Sequence, residues 1–386
     1  MRFIIIALAL FLSTSSFAAQ PKEWTFLLFL NGNNNLDKYG HLNMNQIENV
    51  GSTDKINIVV QWASLKNGKV QRLLMQKDSD FKNVTSPVIQ DLGQADMGDW
   101  KTLVDFVQWG AKNFPANHYF VDVWDHGSGW HKLEESVVFK DISHDDTTGH
   151  HMTTKDLALA LHESSKSIGQ KIDIYGSDAC LMGMIEIASE VSPSVNYYVG
   201  SEELEPGEGW PYDRFLTRWN NSSNATPKEI VQMLTEEYAK SYSFTGKKAV
   251  TLSAFDLNAL QNLELSIQQF GEQIKKLGYD TAREIRKIAR NSQSFYNSDY
   301  VDFLNFVSNV KSANISKMNP IIFNNIETTS QNFIIANGTV NYPDAHGMSM
   351  WIPAKRRIYS KFSSLYQEMR FDQQTHWSEV VKLISE

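Results

Sequence analysis

His118-Tyr119-Phe120-Val121-Asp122-Val123-Trp124 is an aromatic and aliphatic run that stops at Asp125-His126-Gly127-Ser128-Gly129-Trp130. The run reads as a buried strand, and the glycine-rich stretch closes it as a turn. The layout recurs downstream, where Ile172 to Tyr175 is strand-like and leads into Gly176-Ser177-Asp178-Ala179-Cys180. Between the two, Thr153 to Asp156 has the spacing of a capping box and opens a helix expected to run through His162. Upstream, Trp24 to Leu30 and Ile56 to Trp62 are further strands, and Val70 to Met75 is hairpinned back through Asn67-Gly68. Trp100, Leu103, Val104, Val107, Ala111 and Phe114 fall at helical spacing and end before Pro115. Leu181 to Val191 reads as a helix stopped before Pro193, and Asn196 to Gly200 as a strand. Strands alternating with helices give an α/β fold whose mainly parallel β-sheet is flanked by helices on both faces. In such sheets functional residues collect beyond the carboxyl ends of the strands. Both of the chemically loaded turns lie there.

The C-terminal half is more helical. Lys228 to Ser243 and Leu257 to Leu277 are amphipathic, Asp280 to Asn291 is a charged helix, and Val250 to Ala254, Phe333 to Val340 and Met348 to Ile352 read as strands. A boundary near 220 rests on the run Asn220-Asn221-Ser222-Ser223-Asn224.

The composition is that of a folded soluble protein, 42% hydrophobic and 21% charged. Arg2, the apolar run Phe3 to Leu12 and the small residues Ser16 and Ala18 have the layout of a signal peptide over 1–18. That predicts export, to the periplasm or outside the cell, and no membrane association once the signal is removed. The net charge of −8 argues against nucleic acid as a partner. Exported proteins usually hold cysteines in disulfide pairs, yet Cys180 is the only cysteine in the chain. A lone cysteine is a buried inert residue, an intermolecular link or a working thiol.

Its surroundings favour a working thiol. Placed between a strand and a helix, Cys180 is expected to meet the positive end of the helix dipole, which favours thiolate. A neighbouring imidazole can take the thiol proton, and His126, at another strand end, is the candidate base. Gly127 has no side chain to shield its N–H, which with the N–H of Cys180 is expected to form an oxyanion hole.

His126-Gly127 precedes Ala179-Cys180 by a separation similar to that in caspases, where the histidine lies about 50 residues before the cysteine. A closer resemblance is carried by Asp125-His126-Gly127-Ser128-Gly129-Trp130 with Asp178-Ala179-Cys180-Leu181-Met182-Gly183. Together they resemble the two signature blocks of the clostripain family of cysteine peptidases. Leu28 to Asp37, Glu205 to Tyr212 and His346 to Pro353 resemble further blocks of that family, in the same order. The resemblance implies a caspase-like sheet, a Cys180/His126 dyad and cleavage of proteins or peptides after Arg or Lys. It also implies a caspase-like catalytic core over 19–220, completed by 221–386. A cationic side chain needs a carboxylate at the base of its pocket. Asp178, two residues before the thiol, is placed to supply one, and the resemblance matches Glu208 to an acidic position of the same pocket. The sequence calls for no particular cofactor, and calcium stays open. Calcium dependence occurs among family members, and the acidic loops here permit it. Self-cleavage between the histidine and cysteine blocks also occurs in the family, and Lys140 is the basic residue placed for it.

Other residues read more plainly. His144, Asp145, Asp146, His150 and His151 form a solvated polar loop without defined ligand spacing, so no metal site is expected there. Asn33-Asn34-Asn35 and Asp37 read as turn-formers, and the loop after the first strand is also a candidate to line the cleft. A serine hydrolase using Ser128 fails on pattern, because Gly-x-Ser-x-Gly is required and His126 stands two residues before the serine. A non-catalytic binding module of the same fold is the remaining alternative, and intact cysteine and histidine blocks argue against it.

Overall fold

The computed structural model describes residues 20–131, 141–222, 224–244, 248–353 and 355–385. The expected signal peptide therefore lies outside the described residues. The strands are β1 (Lys22–Gly32), β2 (Ile56–Ser64), β3 (Lys69–Leu74), β4 (Val88–Gly93), β5 (Ala116–Trp124), β6 (Ile172–Asp178), β7 (Val195–Gly200), β8 (Val250–Asp256), β9 (Tyr300–Asp302), β10 (Ile334–Val340) and β11 (Ser349–Trp351). The helices are α1 (Asp37–Glu48), α2 (Trp100–Asn113), α3 (Thr154–Ile168), α4 (Ile185–Val191), α5 (Tyr212–Asn221), α6 (Pro227–Ser243) and α7 (Leu260–Asn291), then α8 (Phe303–Ser312), α9 (Ile321–Phe333), α10 (Arg356–Gln367), α11 (Arg370–Thr375) and α12 (Trp377–Ser385).

Nine strands form one sheet in the order β10-β8-β7-β6-β5-β1-β2-β3-β4. The five central strands, β7 to β2, are parallel, and both flanks are antiparallel. A central strand is buried on both faces, which is why its sequence is a continuous apolar run rather than an alternation. In β1, Leu27 and Phe29 enter one core cluster while Phe26, Leu28 and Leu30 enter the other. Helices α2, α3 and α4 cover the first face, and α1, α5 and α6 cover the second. The helices from α7 onward extend the first cluster, with β9 and β11 as a separate two-stranded pair. Among the described residues no helix is long and apolar enough to cross a membrane.

Local signals account for most boundaries. Thr153 and Asp156 form the reciprocal capping box at the start of α3, which continues beyond His162 until Gly169 turns left-handed at φ 81°. Leu181 to Val191 departs from expectation. Its helix, α4, begins only at Ile185, and residues 181–184 are an irregular buried loop in which Leu181 takes φ +62°. These apolar residues are buried by the loop's path between strands, so hydrophobicity alone misplaces the helix start.

Glu186 shows how burial couples this loop region to pH. Its carboxylate accepts hydrogen bonds from the Trp351 N–H and the Tyr366 hydroxyl, both at 2.8 Å. Burial nevertheless pushes its pKa from 4.5 up to about 7, with those bonds opposing the shift. The folded state thus holds this proton more tightly than the unfolded chain. The associated stability is complete below about pH 4.5 and is lost as the pH rises through about 7. Glu186→Gln is expected to flatten this dependence. Its melting temperature should fall a few degrees less than that of wild type between about pH 5 and 8. Equal falls in both proteins, followed by differential scanning fluorimetry, would rule out this origin.

Candidate active site

β5 and β6 are adjacent and parallel, with Trp124 in register with Asp178. Their carboxyl ends therefore deliver the two signature turns side by side. The Gly127 backbone packs so closely on the second turn that an added Cβ would lie 2.4 Å from the Cys180 carbonyl oxygen. Only glycine fits, and it brings the backbone of Gly127 next to that of Cys180. Gly127→Ala is expected to force the turns apart and to reduce turnover at least about tenfold, since a misplacement near 1 Å costs about 10²-fold. Steady-state kinetics on a chromogenic peptide amide tests this, and an alanine variant as active as wild type would contradict it.

One cavity of about 170 Å³ is lined by His126, Cys180, Asp178, Glu205, Leu36, Trp124 and neighbouring backbone. It unites three of the expected site residues. Cys180 is half-buried. Its sulfur accepts the Glu205 N–H at 3.2 Å and lies 3.8 Å from the Glu205 carbonyl oxygen. Burial pushes the thiol up to about 12, the Glu205 N–H opposing and the charges of Glu205, Glu203 and Asp178 reinforcing. The expected help from a helix dipole is not present, because α4 starts five residues later and has only seven residues. His126 is also buried, which lowers its pKa to about 4, with His144 lowering it further and Asp146 raising it. In the free protein both groups are accordingly neutral at pH 7, a thiol and an imidazole lining the same cavity.

Asp178 forms part of the pocket wall. It is buried and accepts the Trp210 N–H at 3.2 Å and the Tyr212 hydroxyl at 2.8 Å, so it does not cap the helix that follows. The same Tyr212 hydroxyl lies 2.9 Å from Asp122 Oδ2. A hydroxyl has one proton to give, so two such contacts require that one of the carboxyls be protonated. Burial, and for Asp122 also the Asp178 charge, raise both, Asp178 to about 7. Gly209, at φ +61°, leaves the Asp178 carboxylate uncovered, since a Cβ there would sit 3.0 Å from both its oxygens.

Glu208 is placed differently from the expectation. Its carboxylate is half-exposed and pairs with Lys248 at 2.5 Å, beside a separate surface groove. The pocket receives Glu205 instead. Both Glu205 carboxyl oxygens are buried beside Asp178, with whose carboxyl Glu205 shares a hydrogen bond, and burial raises this group well above the ordinary carboxyl range. The turn at Gly207 and Gly209 separates the two fates, sending Glu205 inward and Glu208 outward. Type and spacing of charge could not distinguish glutamates three residues apart. Asn35, read as a turn-former, also joins the site, with its Oδ1 2.6 Å from His126 Nε2.

Lys140 lies outside the described residues, as does Lys132. The histidines of the acidic loop engage carboxylates one to one: His144 with Asp146 at 2.8 Å, His150 with Asp96 at 2.5 Å and His151 with Asp141 at 3.5 Å. Among the described residues no group of three or more His, Cys, Asp or Glu is arranged to hold a metal ion.

Known proteins share the fold. The chain is 25% identical over 201 residues to clostripain of Hathewaya histolytica, a match covering 45% of this chain and only 38% of that longer relative. Its fold is similar to that of a secreted C11 cysteine protease from Bacteroides thetaiotaomicron solved with an irreversible peptide inhibitor. The TM-score is 0.70 at 20% identity, over 92% of this chain and 99% of the other. It is similar also to an inactive zymogen C11 protease from Parabacteroides distasonis, with a TM-score of 0.69 at 19% identity over 93% and 99% of the two chains. The model of the Clostripain family matches residues 28–383, from within the first strand to within the last helix. With that match spanning both loaded turns and the sheet that aligns them, this chain belongs to the clostripain family of cysteine peptidases.

Proposed function

We propose that the protein is an exported endopeptidase that cleaves after Arg or Lys, with Cys180 as nucleophile and His126 as base. The observation that carries this reading is that one cavity is lined by the thiol of Cys180, the imidazole of His126 and the carboxyl groups of Asp178 and Glu205, with Asp125 also in its wall. The carboxyls supply the partner that a guanidinium or ammonium needs when it leaves water. The thiol supplies the attack. As Sγ adds to the scissile carbonyl carbon, its proton passes to His126. The oxyanion is received by the N–H groups of Gly127 and Cys180. The C–N bond then breaks as the imidazolium returns its proton to the leaving amine, and water, deprotonated by His126, hydrolyses the thioester. No step uses a metal or cofactor. Cleavage of a peptide library by residues 19–386 should show Arg or Lys before nearly every cut. A profile dominated by acidic or apolar residues at that position would overturn the specificity.

Self-activation belongs to the same reading. A cut after Lys140 separates the His126 block from the Cys180 block in sequence, at a basic residue the enzyme itself would accept. Purified wild type is then expected to run as two fragments meeting after Lys140. Cys180→Ala should remain one chain, and Lys140→Ala should remain intact or process slowly. A fully active, unbroken wild-type chain on a denaturing gel would refute self-processing and leave the chemistry standing.

A further inference from the structure

We infer that Asn35 is a positioning residue of the reaction, its carboxamide oxygen accepting the Nε2–H of His126 and so fixing the tautomer in which Nδ1 takes the Cys180 proton. A ring nitrogen 2.6 Å from a carbonyl oxygen can be held there only if it carries the hydrogen. The neutral ring has one N–H, so a proton on Nε2 leaves the lone pair on Nδ1. When the thiol proton arrives at Nδ1, the ring becomes imidazolium, and the Asn35 oxygen is the dipole already aligned with its other N–H. The inference rests on the reading of His126 as the base.

The loop is built to hold that oxygen still. Asn31, within β1, donates to Asp125 Oδ2 at 3.0 Å, and Asn34 donates to Asp125 Oδ1 at 2.6 Å and to the His144 carbonyl at 2.8 Å. Asn33 donates to Asp145 at 2.8 Å, and the Asn34 oxygen accepts the Leu36 N–H at 2.9 Å. Asp125 Oδ1 also accepts the His126 N–H at 2.6 Å. One carboxylate therefore ties the β1 loop to the backbone of the base. Three consecutive asparagines divide the work: Asn33 and Asn34 anchor the loop through buried side chains, and Asn35, solvent-exposed, reaches the imidazole.

Among the described residues, the charged and titratable groups around His126 include His144 and Asp146 from the loop after residue 140, Asp125 beside it, and Cys180, Asp178 and Glu205, which line the same cavity. None of these is altered by a change at Asn35, so the acidic limb of kcat/KM isolates its effect. With a basic peptide amide, Asn35→Ala is expected to lower kcat about 10- to 100-fold while KM stays within about twofold, a share of what general acid–base groups contribute. Asn35→Asp is expected to recover turnover relative to the alanine variant and to move the acidic limb up by about one pH unit, because a carboxylate now faces the imidazolium. Wild-type kcat in Asn35→Ala overturns the inference. So does a loss of kcat accompanied by an unmoved limb in Asn35→Asp, which would mark Asn35 as part of the loop's framework only. His126→Ala in the same assay separates the two readings. If it is inactive while Asn35→Ala is normal, only the role of Asn35 falls; if His126→Ala is active, the assignment of the base falls with it.

Discussion

Cys180→Ala and His126→Ala are each expected to abolish hydrolysis, on the order of 10⁴-fold or more, while leaving the fold in place. In the proposed mechanism the thiol and the base act as one unit. With the thiol held at about 12 and the imidazole at about 4, neither is ionised beforehand. On the proposed mechanism the thiolate forms only as the proton crosses to His126, so removing either partner would remove the whole step. Structural damage should be small. Cys180→Ala deletes one half-buried sulfur from a loop fixed by backbone bonds, Leu181 N–H to the Glu203 carbonyl at 3.1 Å and Gly183 N–H to the Ser201 carbonyl at 2.6 Å. His126 borders a cavity, so its loss enlarges a space open to water. Thermal melting and far-ultraviolet circular dichroism check the fold, and product release from a basic peptide amide checks the chemistry. Activity surviving in either well-folded variant would remove that residue from the mechanism.

Asp178→Asn should slow cleavage after Arg at least about tenfold, since leaving one member of a buried charge pair without its partner costs roughly 2–5 kcal/mol. The loss should fall mainly on KM. When ionised, Asp178 and Glu205 also raise the thiol pKa, so their charges oppose thiolate formation until a cation neutralises them. A basic substrate side chain would thus relieve the group that is about to attack. Asp178→Asn and Glu205→Gln remove that opposition, and alkylation of Cys180 by a small neutral reagent should be no slower than in wild type. Slowed alkylation in step with slowed cleavage would instead mean that the nucleophile loop had been disturbed.

The central strands were legible because double-sided burial leaves uninterrupted apolar runs, and the two turns because glycine, histidine and cysteine stand at strand ends. Other elements give no such signal. Helix α1 buries Asn43, Asn45 and Glu48 beside Met44 and Ile47, so its inner face has no apolar period to read. Strand β4 is largely exposed on the sheet edge and alternates weakly. Of the residues that line the candidate cavity, Cys180, His126 and Asp178 carry a signal in residue type and spacing. Glu205 and Asn35 could not, because one glutamate among several and one asparagine among three are selected by tertiary geometry. Which glutamate enters the pocket depends on a left-handed glycine at 209, and which asparagine meets the imidazole depends on the anchoring of its neighbours by Asp125.

The order of the sheet has a consequence for how the molecule can be divided. Strands β4, β3, β2, β1 and β5 all precede residue 132, and β6, β7, β8 and β10 all follow residue 141. The sequence is thus partitioned along one seam, the β5–β6 ladder, with no strand interleaved across it. His126 sits at the end of one bordering strand and Cys180 at the end of the other. Two polypeptides made separately, one ending and the other starting within 132–140, would each be inert and would each expose a long parallel strand edge. Their annealing along that edge would assemble the nucleophile and base at the same moment, which makes this fold a natural candidate for a two-part complementation reporter.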